Sequence, residues 1–292
     1  MLDELTCERQ TYDAAFQGSH GAYSEDAALR LLPPDSGLKP CSRLEDVFEA
    51  VHSGVARYGV IPVENTLAGS VSQSYDLLFE YDLTIIGETV CRIEHALIGL
   101  PGAQLEEIRK ALSHPVALAQ CELFFRSHPW IESTSVYDTA GAVETIMKSG
   151  DRSWAAIASR RAADLWGGVV LADRIEDHPE NYTRFLLISK PMEMVRHQSV
   201  NYKRTIAFRI PNEPGALCCA LQPFAIRGVD IAKIESRPVK GAPFEYLFYL
   251  DLVGRADYEE MYAAVEDLRR QALSLRMLGL YPCASINSSG SS

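Results

Sequence analysis

Apolar and polar residues follow two periods along this chain, and each switch of period marks an element. "TYDAAFQ" begins as a short apolar strand, breaks at Gly18 to Gly21 and becomes a helix with Ala27, Ala28, Leu31 and Leu32 on one face. Ser24 reads as that helix's N-cap, and Glu25 and Asp26 suit the positive end of its dipole. Ser42 and Glu45 read as a capping box opening a second helix, in which Leu44, Val47, Phe48, Val51 and Val55 recur at helical spacing. "YGVIPVEN" is a buried strand ending in polar residues. "LAGSVSQSYDLLFEY" turns into helix from Gly69-Ser70, and "LTIIGETVCRIEHALIGL" carries one or two strands.

The alternation then continues. Helices are expected near 104–110, over 116–127 and from Ala140 to Lys148, the last capped by Asp138 or Thr139. A short strand runs into Ser113, "IESTSVY" and "WAAIAS" are strands, "SRRAADLWG" is a short helix stopped by glycine, and "VVLADRI" and "RFLLIS" are strands again. Strands alternating with helices predict an α/β sheet architecture. From Lys190 to Lys203 the pattern lapses into a polar linker. Beyond it, strand (204–210), helix (214–226), two strands (229–238 and 244–253), helix (258–273) and strand (275–281) make the βαββαβ order of a ferredoxin-like domain. The Ser/Gly-rich tail, 284–292, reads as flexible.

Composition narrows the class. A chain of 292 residues suffices for two domains, and 47% apolar content with 23% charge is that of a globular protein. A net charge of −11 argues against a nucleic-acid surface, and no apolar run approaches the roughly 20 residues that cross a bilayer. Neither nucleic acid nor membrane is therefore an expected partner. The mixed, acidic N-terminus is unlike a secretory or transit peptide, so a cytoplasmic location is expected, or the plastid stroma if a transit peptide has been removed. Seven scattered cysteines without C-x-x-C spacing suit a reducing compartment. That setting discounts the glycosylation sequons at Asn181-Tyr-Thr and Asn287-Ser-Ser, since glycosylation needs the secretory route. The seven histidines show no metal-binding spacing and read as surface or packing residues, and no G-x-S-x-G elbow is present. No cofactor and no metal is expected.

Four polar segments stand where a doubly wound sheet places its ligand, between strand ends and helix starts. Gly18 to Glu25 is either a tight turn or an anion-accepting loop. In "PVENTLAGSV", Glu64 and Asn65 emerge at a strand end. Ser113 and Gln120 are seven residues apart, close to two helical turns, and so could lie along one side. Asp138-Thr139-Ala-Gly141 is explained most cheaply as an N-cap.

Together these segments resemble the prephenate dehydratase family, through "GSHGAYSEDA", "VIPVENTLAGSV", "SHPVALAQC", "DTAGA", "AAIAS" and "NYTRFLLI" in order. "PGALCCALQPFAIRGVDIAKIESRP" resembles the ACT regulatory domain of those enzymes, and the likeness runs from about residue 13 to 283. No helical chorismate mutase module precedes residue 13. His20 and Ala22 stand at variable or often hydroxylated places, and Thr66 replaces the common serine after Glu-Asn. The resemblance implies a periplasmic-binding-protein-like (type II) catalytic core of two subdomains with a cleft between them (13–190), a linker (191–203), an ACT domain (204–283) and a tail (284–292).

The resemblance further implies that Thr183, Asn65, Gln120, Ser113 and Glu64 are catalytic, and that Ser70, Thr139, Arg184, Gly21 and Ala22 lie by the substrate. Gly215, Ala216, Leu217, Glu235 and Ser236 would bind phenylalanine as effector. The reaction would be loss of CO2 and water from prephenate to give phenylpyruvate, in a homodimer or homotetramer feedback-regulated by phenylalanine. Hydroxide is a poor leaving group, so a hydrogen-bond donor at that oxygen is the main requirement, and Thr183 supplies one. Arg184 either anchors a substrate carboxylate or forms a structural ion pair, and Glu64 serves as the acid only if its pKa is raised. Two alternatives stand: arogenate dehydratase, with "DTAGA" as the segment to look at, and a non-catalytic amino-acid sensor.

Overall fold

The computed structural model describes residues 11–192, 201–239, 241–255 and 259–284. Most of the expected linker (193–200) and tail (285–292) lies outside the described residues. In chain order the elements begin β1 (Tyr12–Gln17), α1 (Tyr23–Leu31), β2 (Leu38–Cys41), α2 (Leu44–Ser53), β3 (Ala56–Asn65), β4 (Gly69–Ser70), α3 (Ser72–Glu80), β5 (Thr84–Arg92) and β6 (Ala96–Gly99). There follow β7 (Lys110–Ser113), α4 (Pro115–Ala119), α5 (Glu122–Ser127), β8 (Glu132–Ser135), α6 (Thr139–Ser149), β9 (Trp154–Ala158), α7 (Arg160–Trp166), β10 (Val169–Ala172) and β11 (Tyr182–Ser189). The last are β12 (Asn201–Arg209), α8 (Ala216–Ile226), β13 (Asp230–Pro238), β14 (Tyr246–Arg255), α9 (Glu259–Gln271) and β15 (Ser274–Pro282). They sort into two compact units, one up to Val71 with Thr89–Phe185, the other Ser72–Glu88 with the chain from Leu186.

The first unit holds two sheets. In one, β11, β3, β1 and β2 follow one another, and β1 runs parallel to both neighbours. The other has the order β10-β6-β9-β7-β8, with β7 parallel to β8 and β9. Strands inside a sheet that is covered on both faces read as apolar runs, and "AAIA" of β9 and "ALIG" of β6 are buried throughout. One core gathers Leu97, Ile108, Ala111, Phe124 and Ile157 under α5. This unit is an α/β fold built on two sheets, in keeping with the alternation of strands and helices along the chain.

Helix ends set where loops leave the sheets. Asp138 caps α6 through the Gly141 N–H, and left-handed Gly150 closes it. Ser159 caps α7 and Gly167 ends it in the same way. α1 departs from expectation: its N-cap is Ala22, and Ser24 sits buried inside the first turn. The capping work falls instead to Glu25, whose Oε2 accepts the Gly21 N–H at 2.7 Å. α2 likewise starts one residue later than read, with Asp46 accepting the Arg43 N–H at 3.1 Å. The helix expected near 104–110 is a single 3-10 turn, Leu105–Glu107, and the one over 116–127 is broken at Gln120 and Cys121 into α4 and α5. Gly69 and Ser70 pair with Asn65 and Glu64 across a hairpin, which delays α3 to Ser72.

The second unit carries β13-β14-β12-β15 as a fully antiparallel sheet, with the β12-α8-β13-β14-α9-β15 order of a ferredoxin-like domain. β12 begins at Asn201, inside the stretch read as linker. Ile206, Phe208, Phe224, Leu250, Leu252 and Leu268 form its core between sheet and helices. α3 belongs to this unit: Tyr249 donates to the Tyr75 carbonyl at 2.7 Å, and Arg237 grips Asp76 through two bonds of 3.1 Å.

Candidate active site

A cavity of about 440 Å³ opens within the first unit, lined from the ends of β3, β11 and β1 and the starts of α1, α4 and α6. Its volume suits a small organic ligand. Asn65, Gln120, Thr183, Ser70, Thr139 and Ala22 line it, so six of the expected residues converge there.

The others do not reach it. Ser113 is fully buried, and its hydroxyl donates to the Ile157 carbonyl at 2.6 Å, tying β7 to β9. The expected alignment of Ser113 with Gln120 fails because β7 ends before α4 begins, and Gln120 caps the far end of that helix. Glu64 and Arg184 are half-buried and absent from the lining. Each is adjacent to a lining residue on a strand, Asn65 and Thr183, and side chains alternate between strand faces. Gly21 lies outside the lining with φ +94, and a side chain there would strike Ala162 of α7.

Thr183 stands at the head of a directed chain of hydrogen bonds. Asn65 Oδ1 accepts the backbone N–H groups of Leu67 and Ala68, at 3.0 and 2.7 Å. That fixes the amide's orientation, because a flipped amide would set donor against donor. Its Nδ2 therefore faces Thr183 Oγ1 at 2.9 Å and Asn181 Oδ1 at 2.8 Å, and donates to them. Since Thr183 Oγ1 accepts from Asn65, its own hydrogen is left to point elsewhere, and Thr183 is a residue of the cavity wall. Asn181 is fully buried and passes the direction on, donating from Nδ2 to Gln120 Oε1 at 2.9 Å. The asparagine of the sequon is thus a structural member of the site.

Sequence reasoning missed His95 and Tyr23. His95 is 2% exposed, its Nε2 lies 2.9 Å from Gln120 Oε1, and its Nδ1 lies 2.9 Å from the Tyr23 hydroxyl. Burial lowers the His95 pKa, against the Gln120 hydrogen bond that raises it, and burial raises that of Tyr23 well above the usual phenol range. Both are therefore neutral at neutral pH. The only sequence signal was a histidine between two apolar runs, which also describes a core histidine. His114, a further lining residue with its pKa lowered by burial, accepts the Val116 N–H at Nδ1 and so turns an Nε2–H outward.

No Lys or Arg lines this cavity among the described residues, and its only carboxylate, Asp138, is engaged with the Gly141 N–H and the Ser19 hydroxyl. Val71, Ile93, Val116 and Phe185 give it apolar walls. Among the described residues no group of His, Cys, Asp and Glu is placed to hold a metal ion, and no helix is long and apolar enough to cross a membrane.

In the second unit, Gly215 (φ +85) is the N-cap of α8, with Ala216 and Leu217 in its first turn. Glu235 and Ser236 lie in β13 opposite Tyr249 and Phe248, and Lys233 Nζ approaches Glu235 at 3.7 Å.

Comparison with known proteins gives this geometry its context. "Arogenate dehydratase/prephenate dehydratase 1, chloroplastic" of Arabidopsis thaliana is 38% identical over 282 residues, 92% of this chain and 71% of that protein. The solved L-Phe complex of prephenate dehydratase from Arthrobacter aurescens is 32% identical with a TM-score of 0.84, over 92% of this chain and 89% of that one. A structure described as "GqqA- a novel type of quorum quenching acylases" is 35% identical with a TM-score of 0.85, over 94% and 98%. The prephenate dehydratase profile matches residues 14–193 and the ACT domain profile residues 204–270, so the chain belongs to the prephenate dehydratase family and carries an ACT domain.

Proposed function

We propose that Thr183 delivers the hydrogen bond that lets the C4 hydroxyl of prephenate leave, in the decarboxylating dehydration of prephenate to phenylpyruvate for L-phenylalanine biosynthesis. The observation that carries this is the direction of the Asn65–Thr183 bond, which leaves a residue of the cavity wall with its hydroxyl hydrogen to donate. The ring carboxylate departs as CO2, its electron pair forms the new ring double bond, and hydroxide leaves with one proton as water. Aromatisation supplies the drive, so the protein's part is to position the substrate and stabilise charge on the departing oxygen.

The walls support the same reading. A substrate carboxylate can sit at the start of α1, where Ala22 offers no side-chain cap and the first-turn N–H groups of Tyr23 and Ser24 have no intrahelical partner. The ring carboxylate meets apolar side chains and no cation, which favours its loss as neutral CO2. Ser70 and Thr139 offer hydroxyls to the remaining polar groups. Glu64, Arg184 and Ser113 act behind the lining rather than on the substrate.

Arogenate, with an amino group in place of the side-chain ketone, undergoes the same elimination and is the nearest alternative substrate. The acylase activity named for one solved relative is less well supported: a nucleophilic hydroxyl needs a base to take its proton, whereas Thr183 is met by an amide donor. Phenylalanine binds the ACT domain at the start of α8 and on β13 and inhibits by favouring one quaternary state. The enzyme works as a homodimer or homotetramer, and the outer strand β13, with Ile234 45% exposed, suits such an interface. Its location is the cytoplasm, or the stroma after removal of a transit peptide.

Turnover on prephenate and arogenate in parallel, each with and without phenylalanine, tests the reading. Phenylpyruvate from prephenate, suppressed by phenylalanine, is the expected result. Phenylalanine formed only from arogenate assigns the alternative substrate, and no product from either overturns the assignment.

A further inference from the structure

Asn65, next to Thr183, is held by backbone, whereas the Gln120 amide at the far end of the chain could be rotated by half a turn at the cost of only its own bonds. Two anchors lie at opposite ends. At one, the Leu67 and Ala68 N–H groups hold Asn65 Oδ1. At the other is His95, held in turn by Tyr23.

The direction passed from Asn65 through Asn181 to Gln120 decides the hydrogens at His95. Gln120 Oε1 accepts from Asn181 Nδ2, and Gln120 Nε2 faces Asn65 Oδ1 at 3.5 Å. The atom that His95 Nε2 meets at 2.9 Å is therefore an acceptor, so Nε2 must carry the hydrogen. Nδ1 is then a bare lone pair, and the Tyr23 hydroxyl fills it at 2.9 Å. The other tautomer would set lone pair against lone pair at Gln120. The Glu94 carbonyl, 2.7 Å from the Tyr23 oxygen, competes for the same phenolic hydrogen. His95 is also fixed from behind, its N–H donating to Glu176 Oε2 at 2.9 Å.

We infer that His95, as the Nε2–H tautomer held by the Tyr23 hydroxyl, is a positioning residue that fixes the Gln120 amide of the cavity wall and keeps its Oε1 as the acceptor for Asn181. The inference rests on the proposed dehydratase site, but the tautomer itself can be read without any reaction. His95 does not touch Thr183 and transfers no proton. It determines which end of the Gln120 amide faces Asn181. Without it, Gln120 turns between two orientations, and Asn181 loses its acceptor in one of them.

Three substitutions separate this role from simple packing. His95→Asn puts an amide near the Nδ1 position and forfeits the donor to Gln120. His95→Gln reaches the Nε2 position with an N–H. His95→Leu fills the space with neither. Kinetics of the folded variants on the substrate that the wild-type enzyme turns over are expected to show kcat lowered about 30-fold for His95→Asn and His95→Leu, with KM changed less than about threefold. His95→Gln is expected to recover most of kcat. In parallel, nitrogen-15 NMR of the wild-type imidazole is expected to show Nε2 protonated and Nδ1 bare at neutral pH.

An Nδ1–H tautomer, full kcat in His95→Asn, or His95→Gln no better than His95→Leu would overturn the inference. Wild-type protein without dehydratase turnover would defeat the role of Thr183 and leave the tautomer result to judge the anchor alone. If the His95 variants do not fold, Tyr23→Phe serves instead. It removes the lock alone and is expected to produce a mixture of tautomers in the spectrum, and an unchanged spectrum there would count against the lock.

Discussion

Two polar clusters of the first unit lie on either side of the start of α1, and they are built from opposite chemistry. One is neutral: Asn65, Asn181, Gln120, His95 and Thr183, linked almost entirely through side-chain amides. The other is charged. Glu25, with a side chain 5% exposed, accepts from the Gly21 N–H at 2.7 Å and Arg161 at 2.6 Å and meets His20 at 2.6 Å, and Arg161 also reaches Asp26 at 3.0 Å. The neutral cluster fixes where hydrogens point, and its amides do not titrate. The charged cluster fixes where backbone goes, joining the Gly18–Ala22 loop to α7, and it depends on pH. Direction of a donor and position of a loop are separate requirements of one cavity, and the sequence meets them with separate residues.

The sharpest way to break the comparison is Asn65→Ala. It removes the donor that orients Thr183 and the acceptor that holds Leu67 and Ala68, and a fall in kcat of about 10²–10³-fold is expected in steady-state kinetics. Glu25→Gln should do the reverse, lowering stability by about 2 kcal/mol in urea melts while kcat of the folded fraction stays within about threefold.

Acid should act on the second cluster in the same sense. Burial pushes the Glu25 carboxyl up, but the Gly21 N–H, His20 and Arg161 together outweigh burial and hold it below the usual carboxylate range. A depressed native pKa contributes stability that is present in full above the unfolded value, near about 4.3, and is lost as pH falls through the native one. Wild-type stability should therefore drop below about pH 4.3 more steeply than that of Glu25→Gln, as paired melts across that range would show. The smallest effect belongs to Thr66→Ser. The Thr66 hydroxyl donates to the Glu180 carbonyl at 2.8 Å and accepts the Tyr182 N–H at 2.9 Å, and a serine can do both, so kcat should change less than about twofold.

The contrast also explains what could be read from the chain alone. Apolar periodicity located most of the strands of the first unit and the βαββαβ order of the second, because burial on one face leaves a period in the letters. It misplaced helix starts wherever a residue did an unusual job, as where Glu25 caps α1 from inside its first turn and Ala22 takes the N-cap. Thr183, Asn65 and Gln120 were legible as motif letters at loop ends. Ser113 was also legible, but its hydroxyl is spent on the Ile157 carbonyl. Asn181 was noted only within a sequon that was discounted, and His95 and Tyr23 were passed over. Their meaning lies in partners 25 to 116 residues away, and no local pattern records such a partner.

The central claim is that the Thr183 hydroxyl, aimed by Asn65, assists the leaving oxygen. Its most direct test is Thr183→Val, which keeps the shape and removes the donor, measured for turnover and for substrate binding in the same preparation. The account predicts kcat lowered about 10³-fold with affinity changed less than about threefold. Turnover within a few-fold of wild type would contradict it.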